Sequence, residues 1–434
     1  MGERIIEYVP VRKVFEEKPV GKEVALRGWV YRVRVQKNHV FVVLRDSTGI
    51  IQVVVEDTNP AFDEAEKASI ESSVEVRGLV KEDPRAPGGL EVRANDFKII
   101  SLAEPFPITK DASREFLLDV RHLWVRSRRM NAILKIRHEV FRCIHEFFTE
   151  RSFVEVQAPM FITVAVEGGA TLFTVDYFGR KDIYLTQSAQ FYLEALIYSL
   201  ERVYTIAPSF RAEKSRTRRH LTEFWHAEAE VAWYRLNDVL KLEEDLISYI
   251  VDKVLERRMD ELKLLKRRIE ALENVKAPFY RLSYDEAIEM LQGKGFEIEW
   301  GEDLGADEER ALTLEFDKPV FLYGYPEQAK AFYHKNDPSR PEVTLSADLL
   351  APEGYGEIIG GGERIENYDE LIDKIRRFGL NPDDYGWYID LRRYGSVPHA
   401  GFGLGVDRLV MWICGLDHII DAIPFPRTIR RTYP

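Results

Sequence analysis

The sequence predicts an α+β chain in two parts, a small closed β-barrel followed by a larger domain on a mostly antiparallel sheet flanked by helices. Three observations carry that reading. Five short β-rich runs crowd roughly the first hundred residues. Prolines and a change of charge break the chain around Ala103–Asp111. Beyond the break, strands and helices do not alternate regularly, as a parallel α/β sheet would require.

Residues 22–56 read as three β-runs parted by polar turns, and SSVEVRGLVKEDPRAPGGLEVRANDFKIIS supplies two more. Such a barrel is most commonly an OB-fold when it binds nucleic acid. The expected division is therefore a barrel over 1–103, a linker over 104–129 and a second domain over 130–434. A helical period runs from Met130 to Phe153 and gives way to FVEVQAPMF, a strand with Pro159 near its end. Asn237–Asn274 is strongly helical and charged, and mixed α and β return to the end.

At 434 residues, 45% hydrophobic and 31% charged, the composition is that of a soluble globular protein. A formal net charge of −12 argues against a protein that coats nucleic acid indiscriminately. Local basic clusters leave specific binding open: Arg27, Arg32, Arg34 and Lys37; the stretch Arg211–Arg219; and Arg427, Arg430 and Arg431. Cys143 and Cys414 lie among apolar residues without metal-ligand spacing, which predicts reduced core thiols. No apolar run is long enough to span a bilayer and the start is charged throughout, so no membrane association and a cytoplasmic location are expected.

Three segments carry candidate chemistry. In GFGLGVDRLVMWI, Gly401–Ile413, glycines at alternate positions strip one strand face, and the period changes to that of a helix at Arg408. A flat ligand or another backbone could lie on that face. In PSFRAEKSRTRRHLTEFWHAEAEVAWY, Arg211 and Glu213 follow a strand, and a guanidinium suits phosphate oxygens through paired donors. Phe224 offers a ring to a base. In SADLLAPEGYGEIIGGGERIENY, Asp348 and Glu357 flank a glycine turn ahead of Arg364, a pairing that suits Mg²⁺ beside phosphates. Each segment alone also reads as an ordinary packed strand, surface hairpin or loop.

Together they resemble a known family. The segments bearing Arg211, Glu213, His220 and Phe224, and GFGLGVDR with Arg408, resemble motifs 2 and 3 of the class II aminoacyl-tRNA synthetases. FVEVQAPMF resembles motif 1, which in that family lies at the dimer interface. The N-terminal barrel is the arrangement of subclass IIb, the aspartyl, asparaginyl and lysyl enzymes, so the resemblance covers essentially the whole chain. It implies ATP as substrate, Mg²⁺ and a homodimer. It implies that Arg211, Glu357 and Arg408 are catalytic, with Arg211 on the α-phosphate, Glu213 on the adenine amino group, Arg219, His220, Leu221 and Gly405 near ATP, Phe224 and Arg408 on either side of the adenine, and Asp348 with Glu357 on the metal.

Within the subclass the residues favour asparagine over aspartate. The aspartyl enzymes carry a substrate-pairing lysine where QSAQFYL, Gln187–Leu193, has Leu193. Glu228 replaces the usual aspartate, and a longer carboxylate could accept from an amide while repelling a β-carboxylate. Gly360 stands where the aspartyl enzymes tend to have serine beside the metal. The resemblance further places Glu167, Ser188, Gln190, Arg211, Glu228, Gly360 and Arg364 about the amino acid, and Arg34, Phe41 and Gln52 on the anticodon, where an aromatic ring would stack on a splayed base. The implied activity is ligation of L-asparagine to tRNA(Asn) through the adenylate. An aspartyl enzyme of relaxed specificity is the alternative. Removing Arg364 is expected to abolish activation while leaving the fold intact.

Overall fold

A computed structural model describes residues 7–166, 171–214 and 217–434. The chain divides into two compact units, Met1–Leu118 and Asp119–Pro434. In the first, β1 (Glu23–Gln36), β2 (His39–Arg45), β3 (Ile50–Glu56), β4 (Ser73–Glu82) and β5 (Leu90–Ser101) close into a barrel in the order β1-β2-β3-β5-β4. Alternation drives the closure: Val40, Val42, Leu44, Ile51 and Val53 turn into a core that excludes water, while Phe41, Val43 and Gln52 turn outward. A buried bidentate pair, Arg45 to Glu71 at 2.8 and 2.9 Å, ties β2 to the turn ahead of β4.

The second unit begins its long helix, Arg128–Glu150, where the Ser127 hydroxyl accepts the Met130 N–H at 3.2 Å. Its apolar stripe packs on the helix Leu236–Arg257. The strands that follow are β6 (Val154–Glu155), a small sheet of β7 (Phe161–Ile162), β8 (Thr174–Tyr177) and β9 (Arg180–Leu185), then β10 (Arg202–Phe210) and β11 (Glu223–Ala232). After them come β12 (Tyr280–Ser283), β13 (Val320–Tyr323), the hairpin β14 (Asn336–Asp337) with β15 (Arg340–Thr344), β16 (Ser346–Ala351), β17 (Gly356–Glu363) and β18 (His399–Gly405). Eight of these form one sheet in the order β12-β13-β16-β17-β18-β11-β10-β6. It is antiparallel except at its edges, where β12 pairs β13 and β10 pairs β6 in parallel.

The helix Leu236–Arg257 covers one face of β17 and β18, where Glu243 lies 3.0 Å from the position of a Cβ on Gly361. Gly360 and Gly403 therefore belong to the opposite face, which is left for the site. One expectation needs correction. FVEVQAPMF is not one strand: it pairs at Val154–Glu155 and again only at Phe161, because Pro159 offers no N–H to a ladder and the chain leaves for β7. The stretch read as linker also holds a core residue. Arg121 is 1% exposed, and its guanidinium donates to the carbonyls of Ile420, Ile423 and Pro424 at 2.8–2.9 Å. Both cysteines are buried, and burial pushes each thiol up to about 12.

Candidate active site

The floor of the site is a row of paired residues running across four strands. Glu228 of β11 pairs Gly403 of β18, Gly403 pairs Gly360 of β17, and Gly360 pairs Asp348 of β16. Directly paired residues share a face, so two glycines form a trough with a carboxylate at either end. The cavity above it is about 490 Å³ and is lined by Ser188, Gln190, Arg211, Arg219, Glu228, Gly360 and Arg364 among others. A smaller contiguous cleft of about 80 Å³ is lined by Arg211, Glu213, Arg219, His220, Leu221, Phe224, Gly405 and Arg408.

The alternate glycines work differently from expectation. A Cβ on Gly401 would stand 2.0 Å from Glu230 Oε2, and one on Gly403 would stand 2.5 Å from His226 Nε2. Protein side chains therefore use the room at both positions, and only Gly405, with Arg408 as its nearest neighbour at 3.5 Å, adjoins the cleft without such a close approach. Asp407 likewise has a structural part, holding the Arg137 guanidinium and accepting the Trp225 N–H at 2.7 Å.

At the cleft end, Arg408 donates to Glu357 Oε2 at 2.8 Å and to His220 Nε2 at 3.3 Å. Burial, with Arg408 and Arg219 nearby, pulls the imidazole of His220 down to about 4. It is therefore a neutral acceptor at physiological pH. The Arg211 guanidinium lies 5.5 Å over the Phe224 ring, so cation and ring already form one surface.

The opposite end is built from buried, mutually bonded side chains. The Glu228 carboxylate accepts from the Ser188 hydroxyl and, at 2.8 Å, from the Ala189 N–H. Arg364 makes two parallel bonds to Glu230, both 3.1 Å, with side chains 3% and 1% exposed. Gln190 donates to Glu194 at 3.0 Å, and Glu194 is held in turn by Arg392 at 2.6 Å and by His399 and Tyr388. Burial alone would raise the Glu194 carboxyl, but Arg392 and His399 hold it below the usual range. Leu193 is 1% exposed in an apolar cluster with Val156, Ile197 and Val203 and does not line the cavity. Leu193 thus puts no cation at this end, and Glu228 is the carboxylate that lines the cavity there.

Between the two ends stand Asp348 and Glu357. A Cβ on Gly360 would lie 3.2 Å from a carboxylate oxygen of each, so the glycine keeps the gap between them open. Burial and the Glu357 charge raise Asp348 to about 6 against the pull of Lys330, which donates to both its oxygens at 2.8 and 2.6 Å. Burial also opposes ionisation of Glu357, yet Arg408, Lys330 and Arg219 hold it at about 2. Two oxygen ligands facing one gap suit a divalent cation that completes its shell with phosphate and water.

Of the residues expected in the site, all but one thus come together. Glu167 lies outside the described residues. In the barrel, Arg34, Phe41 and Gln52 line one surface cavity, with Gln52 held by Glu91 at 2.8 Å. Sequence reasoning missed Glu230, Glu194, Lys330, Glu309 and Asp303. Glu230 was within reach, since it follows Glu228 at the strand period on the site face.

The family model for class II tRNA synthetases (D, K and N) matches residues 113–429, and that for the OB-fold nucleic acid binding domain matches 24–100. The chain is 56% identical over 416 residues to an asparagine–tRNA ligase of Thermococcus gammatolerans, covering 95% of this chain and 96% of that one. It is 54% identical over 427 residues to the one from Thermoplasma acidophilum, covering 98% and 99%. A crystal structure of asparaginyl-tRNA synthetase from Pyrococcus horikoshii complexed with asparaginyl-adenylate superposes with a TM-score of 0.95 at 52% identity, covering 99% of this chain and 100% of that one.

Proposed function

The chain belongs to the class II tRNA synthetases of the D, K and N type, and on that premise we propose how its residues divide the ligation of asparagine to tRNA, which it performs with ATP by way of asparaginyl-adenylate. ATP occupies the cleft end. Arg211 binds the α-phosphate, Glu213 accepts from the adenine amino group, and Phe224 and Arg408 take the two faces of the ring. Gly405 and Leu221 shape that cleft, with Arg219 and neutral His220 beside the phosphates. Asparagine occupies the closed end, its side-chain oxygen on Arg364 and its amide toward Glu228, with Ser188, Gln190 and Glu167 about its backbone groups.

The single observation that carries this division is that Arg211 lines both the cavity and the cleft. A guanidinium at that junction meets the atom where the amino-acid carboxylate attacks and pyrophosphate leaves. The attack needs alignment and neutralised charge more than a protein base. Arg211 supplies donors where charge develops, Arg408 fixes the nucleotide, and Glu357 orients Arg408. Asp348 and Glu357 would hold Mg²⁺, which when bound supplies further charge neutralisation on the phosphates.

The barrel, within residues 1–103, reads the anticodon by stacking its central base on Phe41 between Arg34 and Gln52, and the join to the catalytic domain lies within 104–129. On the same resemblance the active species is proposed to be a cytoplasmic homodimer. Among the described residues no helix is long and apolar enough to cross a membrane. ATP–pyrophosphate exchange, then aminoacylation of transcribed tRNA(Asn), tests the whole. Exchange should respond to asparagine and fall about 10²- to 10³-fold in Arg211→Ala. Phe41→Ala should weaken tRNA binding by about 1–3 kcal/mol while leaving exchange untouched. A preference for aspartate in exchange would overturn the assignment.

A further inference from the structure

One carboxylate beside the nucleotide end lies outside every motif yet touches two of them. Glu309 sits on the helix Ala306–Thr313 and is 6% exposed. Its Oε1 accepts from Arg219 Nη2 at 2.7 Å, and its Oε2 accepts from Arg219 Nη1 and, at 2.7 Å, from the Glu357 backbone N–H. The residue next to that N–H makes the arrangement possible. Gly356 has φ +77°, and a Cβ there would stand 2.1 Å from Arg219 Nη1 and 2.5 Å from Glu309 Oε2. The chain thus combines a left-handed backbone with an absent side chain where the ion pair passes.

We propose that Glu309 is a positioning residue for ATP, fixing the Arg219 guanidinium against the start of β17 so that arginine and Glu357 meet the phosphates in one prepared geometry. The inference rests on the reading of Arg219 as a phosphate-binding residue. The alternative is that Glu309 competes with ATP for Arg219. Preparation is favoured by what the pair leaves over: Glu309 takes one N–H from each terminal nitrogen of Arg219. Each of those nitrogens carries a second N–H, to which a phosphate oxygen arriving in the cavity that Arg219 and Glu309 both line can bond. A further argument is that Glu309 also holds the backbone of Glu357. A competitor for Arg219 would have no need of that second bond.

The test is a double-mutant cycle in ATP–pyrophosphate exchange with the full chain, comparing Glu309→Ala, Arg219→Ala and the pair. Glu309→Ala should raise KM for ATP about tenfold, within the coupling expected of contacting residues, with KM for asparagine unchanged. The double variant should be no worse than Arg219→Ala. If Glu309→Ala does not fold, Glu309→Gln takes its place in the cycle, because it keeps an acceptor for the Glu357 N–H and loses the charge on Arg219. A lower KM for ATP would mean competition, and multiplicative effects would mean independent action; either overturns the proposal. If Arg219→Ala impairs ATP use and the Glu309 variant does not, the proposal alone fails. If Arg219→Ala leaves KM for ATP unchanged, the reading of Arg219 fails and takes the proposal with it.

Discussion

The two ends of the cavity use the same residue types in different surroundings. At the amino-acid end, Arg364 and Glu230 are 3% and 1% exposed and satisfy each other through two bonds. At the nucleotide end, Arg408 and Glu357 are 22% and 34% exposed and meet through one carboxylate oxygen. A buried, doubly bonded pair has one geometry and punishes a ligand that brings the wrong charge, since burying an uncompensated ion costs several kcal/mol. A half-exposed pair is cheap to rearrange. The contrast assigns discrimination to the closed end and adaptable charge handling to the open one.

Arg364→Ala should be the most damaging change. It removes the donor for the substrate side chain and strands Glu230, so the loss of asparagine-dependent exchange should come with about 3–5 kcal/mol of lost stability, read by denaturant unfolding. That revises the expectation of an intact fold. Adding Glu230→Gln should restore stability without activity, and a fully stable Arg364→Ala protein would break the comparison.

Arg408→Ala should cost about 10²-fold in exchange yet lower stability less than Arg364→Ala does, because its pair is partly open to solvent. Equal stability losses at both ends would erase the distinction. Above pH 6.5 the smallest effect is that of His220, whose contribution depends on pH. Its pKa in the folded chain, about 4, lies below the ordinary 6.5. The unfolded chain therefore binds the proton more readily between those values. The contribution is complete above 6.5 and is lost as pH falls toward 4. His220→Asn should flatten that limb of the stability curve and leave stability between pH 7 and 9 unchanged.

What the sequence made legible was whatever a local period encodes. Alternation in β2 and β3 turned Phe41 and Gln52 outward, and the change of period at Arg408 marked a strand entering a helix. What it hid were pairings. Glu230 and Arg364 are 134 residues apart, Arg219 and Glu309 are 90 apart, and nothing local distinguishes Glu309 from the neighbouring acids of DEER. Gly401 was opaque for the same reason, since a missing side chain shows where room exists and not that Glu230 fills it. That Leu193 packs on Val156 and Val203 was hidden for the same reason.

The central claim is that amino-acid choice resides in the closed end and is separable from ATP binding. The most direct test is the ratio of kcat/KM for asparagine over aspartate in ATP–pyrophosphate exchange, measured in Glu228→Gln. The glutamine keeps an acceptor for the Ala189 N–H and can donate to the Ser188 hydroxyl, so the site should stay assembled. The ratio should fall about tenfold or more with KM for ATP unchanged. An unchanged ratio, or a change confined to KM for ATP, would contradict that claim.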